Sequence, residues 1–359
     1  MSENVNETAS LPVSLNMHAV PLVEDLDGQV KRCRICNYRC ELAPGQSGVC
    51  GVRLNQGDTI QTTNYGLVSK ADLERIEDRN FYHLFPGSRI FTLGGYGLNF
   101  PPTLEQGRFV EPPSGGNNRF LPLERLAHFT IERQCRGVVF AFNEPTMWFE
   151  YILDAAKIIR ANGMFTAMVT NGYMTLEALE MLGYYMDGVL IEVNAFHERS
   201  FNTLTGRDNF QKVLEIARRA LYKYKCHLEI QTRIVPGVNE SNSEMELLAT
   251  WIKQGLGANV PWHLVGGFPG ARPELDRIKE VGLNCGLNYI YVNEGTSVPA
   301  TEEPLAAIFD STVNGNTYCY RCHSLVIDRH NEEVRFSGLE KNKCSLCGAT
   351  LSINNTLWK

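Results

Sequence analysis

The chain has 359 residues, 43% of them apolar, and a formal charge of −6 at neutral pH, enough for one large packed domain or several smaller ones. The negative balance excludes a general nucleic-acid binder, and no apolar run reaches the roughly 20 residues of a membrane helix. The opening MSENVNETAS is polar and acidic, unlike a secretory signal, so a cytoplasmic location is expected.

In chain order, residues 1–28 read as a flexible tail. Residues 29–82 hold Cys33, Cys36, Cys40 and Cys50, with turn signals at Pro44-Gly45 and Gly48, and form an N-terminal four-cysteine module. From 83 to 295 short β-branched and aromatic runs alternate with helical patterns. Strands are predicted over 89–93, 137–142, 164–169, 188–193, 227–235, 260–265 and 289–292. Helices are predicted over 146–161, 175–182, 210–224, 243–254 and 273–285. Such alternation predicts an α/β fold with a parallel sheet and helical crossovers. The number of units favours a partial (β/α) TIM-like barrel over a doubly wound sheet. Residues 296–316 read as a linker, and 317–359 as a zinc ribbon.

The cysteine spacing carries chemistry. Cys319-x2-Cys322 and Cys344-x2-Cys347 place two thiolates on each of two turns, the pattern of a closed, structural zinc site. His323 follows a ligand directly and is expected to be a neighbour. Cys33-x2-Cys36-x3-Cys40-x9-Cys50 is less regular and suits either zinc or an iron–sulfur cluster, with zinc preferred. With no export signal, neither set reads as disulfides.

The predicted strand ends carry polar residues, where β/α barrels place their working groups. They are Asn143-Glu144-Pro145, Thr170-Asn171-Gly172, Glu192 and Asn194, Arg233 with the 236–239 corner, and His263. Any one alone would read as a cap or turn. Five converging on one mouth point to a ligand site.

These stretches resemble radical S-adenosylmethionine (SAM) proteins related to pyruvate formate-lyase activating enzymes, in particular the radical SAM member of the AmmeMemoRadiSam gene set. The resemblance rests on residues 33–53 (CRICNYRCELAPGQSGVCGVR), 81–94 (FYHLFPGSRIFTLG), 142–145, 170–173, 234–241 (IVPGVNES), 260–263 and the terminal ribbon. It implies a radical SAM-type partial barrel. It also implies that Asn143, Glu144 and Pro145 meet the SAM amino group, that Thr170, Asn171 and Gly172 line its ribose side, and that His263 lies near the reaction centre.

The chain departs from that family at the cluster loop. Family members carry C-x3-C-x2-C after the first barrel strand, in a context like GCNFxCxFCQ. Here the loop reads GLNFPPTLEQ, and the three cysteine positions fall on Leu98, Pro102 and Glu105. Leucine and proline supply no ligand, and one carboxylate does not replace three thiolates, so no [4Fe–4S] cluster is expected there. The family lysine that binds the SAM carboxylate falls on Asn194. The resulting expectation is a pseudoenzyme or repurposed protein that binds a nucleoside-like ligand, SAM itself only weakly, or a protein partner. Two alternatives stand beside it. One is polar, non-radical catalysis by Glu144, Glu192 and His263. The other is a radical SAM enzyme whose cluster has moved, for instance to the early cysteines.

Overall fold

The computed structural model describes residues 16–100, 119–268, 270–294, 315–330 and 333–357. Its central elements follow in chain order. They are β1 (Arg89–Gly94), α1 (Leu123–Glu132), β2 (Gly137–Phe140), α2 (Phe149–Ala161), β3 (Phe165–Thr170), α3 (Leu176–Leu182) and β4 (Gly188–Glu192). Then come α4 (Glu198–Thr205), α5 (Gln211–Tyr222), β5 (His227–Arg233), α6 (Asn242–Trp251), β6 (Trp262–Val265), α7 (Arg272–Asn284) and β7 (Ile290–Asn293). The protein is thus a mixed α/β molecule with a parallel-strand sheet. Among the described residues no helix is long and apolar enough to cross a membrane.

The chain folds as two compact units, each drawn from several stretches. The first comprises Met1–Leu73, Phe91–Thr166 and Tyr173–Tyr185. The second comprises Glu74–Ile90, Ala167–Gly172 and Met186–Lys359.

In the first unit, Ala141 N–H donates to Leu93 O and Ser69 N–H donates to Gly94 O, both at 2.8 Å, so β1 lies between β2 and the strand Lys70–Arg75. β2 is buried throughout, as a strand covered on both faces must be, which is why its sequence is a continuous apolar run. Helix α2 is entered through a 3-10 turn, Pro145–Trp148, whose proline occupies the first turn, where its missing N–H costs nothing. Two short antiparallel sheets build the N-terminal part: Val23–Asp25, Lys31–Cys33 and Glu41–Leu42, then His18–Ala19, Ile60–Thr62 and Arg53–Asn55. Residues 16–28, read above as tail, therefore carry paired strands. Such two- and three-residue strands are too short to leave a periodic signal.

In the second unit, strands β3 to β7 pair in parallel and in order. Ala167 lies opposite Gly188, Gly188 opposite His227, Ile230 opposite Trp262, and Trp262 opposite Ile290. The register puts Glu192, Gln231, His263 and Tyr291 side by side in one row across the sheet. Helix α6 starts at Ser241, whose hydroxyl accepts from Glu244 N–H, and it ends in a π turn, Ile252–Leu256. The C-terminal segment adds the antiparallel strands β8 (Thr317–Tyr318), β9 (Leu325–His330) and β10 (Glu333–Phe336), and the hairpin β11 (Leu339–Glu340) with β12 (Lys343–Cys344). Most of the predicted linker, 296–314, lies outside the described residues.

Candidate functional site

The late cysteines meet as predicted. Cys319 and Cys347 Sγ are 3.6 Å apart, as are Cys322 and Cys344 Sγ, and all four thiols lie within 4.8 Å of one another. A tetrahedral ion with bonds of ~2.3 Å separates its sulfurs by about 3.8 Å, so the four match one ion. The Ser324 hydroxyl, 3.4 Å from Cys344 Sγ, holds that thiol down to about 6. Cys319 and Cys344 are buried among Val326, Ile327, Ala349, Leu351 and Ile353. His323 stays outside the group. The site could hold a metal with no open position.

The early cysteines also share one cavity, lined by Cys33, Cys36, Cys40 and Cys50 with Arg53 and Met147. Among the described residues they do not gather within 4.8 Å as the late group does. Burial pushes the Cys33 thiol up to about 11, and raises Cys36 and Cys50 as well, against backbone hydrogen bonds from Ile35, Tyr38 and Val52 that favour the thiolates. Arg53 backs the cavity. It is 3% exposed, donates to Thr62 Oγ1 at 2.5 Å, and lies 3.0 Å from the buried Glu150 carboxylate. At the exposed edge Glu177 ties Arg34 and Arg39 at 2.5 and 3.1 Å.

In the same unit, the loop after β1 packs against this module. Gly97 takes φ +100°, and a side chain there would meet Val52 at 2.7 Å, Met147 at 3.0 Å and Cys50 O at 3.2 Å. Leu98 is buried beside it, while Pro102 and Glu105 lie outside the described residues. Asn143 Nδ2 donates to Gly97 O at 3.2 Å, and its Oδ1 is buried with no hydrogen-bond partner. Glu144, 3% exposed, accepts from Thr146 N–H at 2.9 Å and from the Thr146 hydroxyl, and so caps the turn that begins at Pro145.

The remaining strand-end residues belong to the second unit. Thr170 Oγ1 accepts from Gly172 N–H at 3.1 Å, closing a turn around Asn171. Gly172 needs its φ of +69°, and a Cβ would press on Ile191 and Val213 at 3.0 Å. Glu192 accepts from Gln231 Nε2 at 2.9 Å. Asn194 is committed to the backbone: Oδ1 accepts from Arg233 N–H at 2.8 Å and its carbonyl from Asn239 Nδ2 at 2.7 Å. His263 Nε2 lies 2.6 Å from Glu229 Oε2, with its ring stacked on Tyr291.

Sequence reasoning missed that Glu229. It is fully buried and takes His227 at 3.0 Å and the Tyr82 and His83 amides at 3.1 and 2.8 Å. Burial opposes its charge, yet the hydrogen bonds from His227 and His263 hold its carboxyl well below the usual range. The signal was an acid between the apolar Leu228 and Ile230 in the strand HLEIQT.

The Radical SAM superfamily profile matches residues 101–252. The chain carries a radical SAM superfamily domain. An uncharacterized protein of Methanocaldococcus jannaschii is 27% identical over 350 residues, 94% of this chain and 99% of that protein. The pyruvate formate-lyase-activating enzyme of Clostridium pasteurianum is 26% identical over 155 residues, 40% of this chain and 62% of that enzyme. A radical SAM methyltransferase structure from Sphaerobacter thermophilus aligns with a TM-score of 0.46 at 14% identity, over 59% of this chain and 68% of that one.

Radical SAM membership implies an iron–sulfur cluster and SAM, which puts the loop after β1 to a chemical test. No cysteine occurs between Cys50 and Cys135, and Leu98 offers only hydrocarbon. That loop does not fit a thiolate-held cluster. The orphaned Asn143 Oδ1 does fit a ligand that brings a hydrogen-bond donor, because a buried acceptor left unpaired costs about 1–3 kcal/mol.

Proposed function

We propose that this radical SAM domain works by binding rather than by reductive cleavage of SAM: a pseudoenzyme that takes a nucleoside-like ligand, with zinc in the late four-cysteine site as a structural element. The observation that carries this reading is the loop after β1, where the chain has no thiolate and buries Leu98 instead. Without a cluster at that loop, no electron source stands where the superfamily delivers one, and such chemistry belongs to the cofactor rather than to the protein. The polar candidates do not replace it. Glu144 caps a turn, and Glu192 and His263 are tied to Gln231 and Glu229 on the neighbouring strand.

Asn143 offers the ligand an acceptor. Asn194 offers no cation for a carboxylate, which forgoes a charge-assisted hydrogen bond of about 1.5–3 kcal/mol. SAM is therefore expected to bind more than about tenfold more weakly than such a bond would allow, and 5′-deoxyadenosine to compete well with it. Two measurements test this. Anaerobic, iron- and sulfide-reconstituted protein with SAM and dithionite is expected to make no 5′-deoxyadenosine above a protein-free control; turnover overturns the proposal. Isothermal titration with SAM, S-adenosylhomocysteine and 5′-deoxyadenosine is expected to show at least one weak binder that Asn143→Ala abolishes. Binding of none of the three replaces the small ligand with a protein partner.

A further inference from the structure

The two four-cysteine groups are alike in composition and unlike in geometry, and the difference speaks to what each holds. A single ion draws its thiolates into van der Waals contact, and the late group is already at that spacing, with sulfurs 3.6 Å apart in each of two pairs. The early thiols face a common cavity yet stay wider than 4.8 Å as a group. A cubane cluster asks for this wider arrangement, because its irons and inorganic sulfides lie between the protein sulfurs. Three of the four cysteines are fixed by packing rather than by mutual contact: Cys36 and Cys50 sit in a buried cluster with Val52, Leu67, Tyr96 and Met147, and Cys33 lies in the strand Lys31–Cys33. Collapse onto one ion would have to drag that wall inward.

The surroundings suit a cluster as well. Amides of Ile35, Tyr38 and Val52 donate to the sulfurs of Cys33, Cys36 and Cys50, and such bonds stabilise reduced, more negative states. The buried Arg53 guanidinium and the rim residue Arg39 line the same cavity and offset the net negative charge of four thiolates around a cluster. Cys40 is half-buried at the mouth, so iron and sulfide have an entry path.

We propose that Cys33, Cys36, Cys40 and Cys50 bind a [4Fe–4S] cluster, one thiolate to each iron. Every iron is then saturated, and none is open to chelate SAM. The cluster is a bound centre of the N-terminal module, and its presence is independent of whether the domain cleaves SAM.

The test is made on the full chain, purified anaerobically and reconstituted with iron and sulfide. Roughly four irons and four sulfides per chain are expected, with a thiolate-to-iron band in the visible that bleaches with dithionite and a reduced-cluster signal in electron paramagnetic resonance. Cys36→Ser is expected to lose most of the iron and the band, and Cys344→Ser to lose zinc while leaving both intact. Should Cys36→Ser fail to fold, Cys40→Ser at the cavity mouth serves the same purpose, and the wild-type metal count decides without either. Two zinc ions and no iron per chain overturn the proposal, as does iron that survives both early-cysteine variants. A cluster without 5′-deoxyadenosine formation upholds both readings; 5′-deoxyadenosine formation that survives Cys36→Ser overturns only the proposed function, whereas formation lost with that cluster shows one of its irons open to SAM and overturns both.

Discussion

The early and late cysteine groups begin from the same device, a C-x2-C turn that presents two thiols on one side, and end in different structures. The late group is joined by few other apolar residues. Val326, Ile327, Ala349, Leu351 and Ile353 are the buried companions of its four cysteines, so the ligands form much of that segment's core. The early group shares a buried cluster of similar size, Cys36 and Cys50 with Val52, Leu67, Tyr96 and Met147, but its thiols do not gather within 4.8 Å, and a buried Arg53–Glu150 ion pair stands behind it. Where the thiols themselves meet, a bound ion would shape the fold. Where they stay apart on a packed wall, the fold shapes the site.

The largest effect this contrast predicts is on the late segment. Binding a structural ion supplies folding free energy on the order of 10 kcal/mol, which a core this small does not replace. Chelation, or Cys344→Ser, is expected to bring the amides of β9 and β10 to near-unfolded hydrogen-exchange rates while those of β2 and α2 keep their protection. Unchanged protection of β9 and β10 would show that the small apolar core suffices and would break the comparison.

A smaller effect is expected in the early region. Arg53→Met leaves the Glu150 carboxylate buried and unpaired, which typically costs about 3–5 kcal/mol. Adding Glu150→Leu to it is expected to recover most of the loss, because the penalty comes from the stranded charge. Chemical denaturation of the single and double variants measures both. A single variant within about 1 kcal/mol of the parent would mean that the wall does not depend on the pair.

How much of this was legible beforehand varies with the length of the element. Apolar runs declared themselves as strands, 137–142 and 188–193 becoming β2 and β4, and a thirteen-residue helical pattern at 273–285 became α7 at Arg272–Asn284. Helix α4 escaped because its eight residues carry only two large apolar side chains, Phe201 and Leu204, too few to mark a stripe in the sequence. The paired strands at 18–19 and 23–25 escaped because strands of two or three residues have no period to detect. The late metal group was readable because its two turns recur at fixed spacing. The early one was readable as a group of four thiols but not as a particular metal site, since sulfur spacing is set by packing around Val52 and Met147, the latter far along the chain from Cys33. The buried acid Glu229 and its two histidines were invisible as a network because their contacts depend on strand register.

The smallest expected effect concerns how the late segment is tied to its own unit, and it sharpens the contrast because the tie is neutral rather than charged. His83 Nδ1 lies 3.0 Å from Ser352 Oγ and Nε2 lies 2.7 Å from the Tyr291 hydroxyl. Burial pulls its imidazole from the ordinary 6.5 down to about 3, so the folded protein holds it neutral. The unfolded chain takes up that proton below pH 6.5 and the folded chain does not, so stability is complete above 6.5 and falls as pH drops toward 3. The slope approaches about 1.4 kcal/mol per pH unit. Glu229 acts in the same direction, but its depressed carboxyl contributes only below the ordinary value of 4.5, so the interval from 6.5 to 4.5 isolates the histidine from it. Glu77, which burial pushes upward, runs the other way and is present in parent and variant alike. His83→Gln is therefore expected to unfold at lower denaturant at pH 7 and to lose less stability than the parent between pH 6.5 and 4.5. Parallel pH profiles for the two proteins would mean that His83 gains its proton in the folded state, and that the tie to Ser352 is not held by a neutral ring.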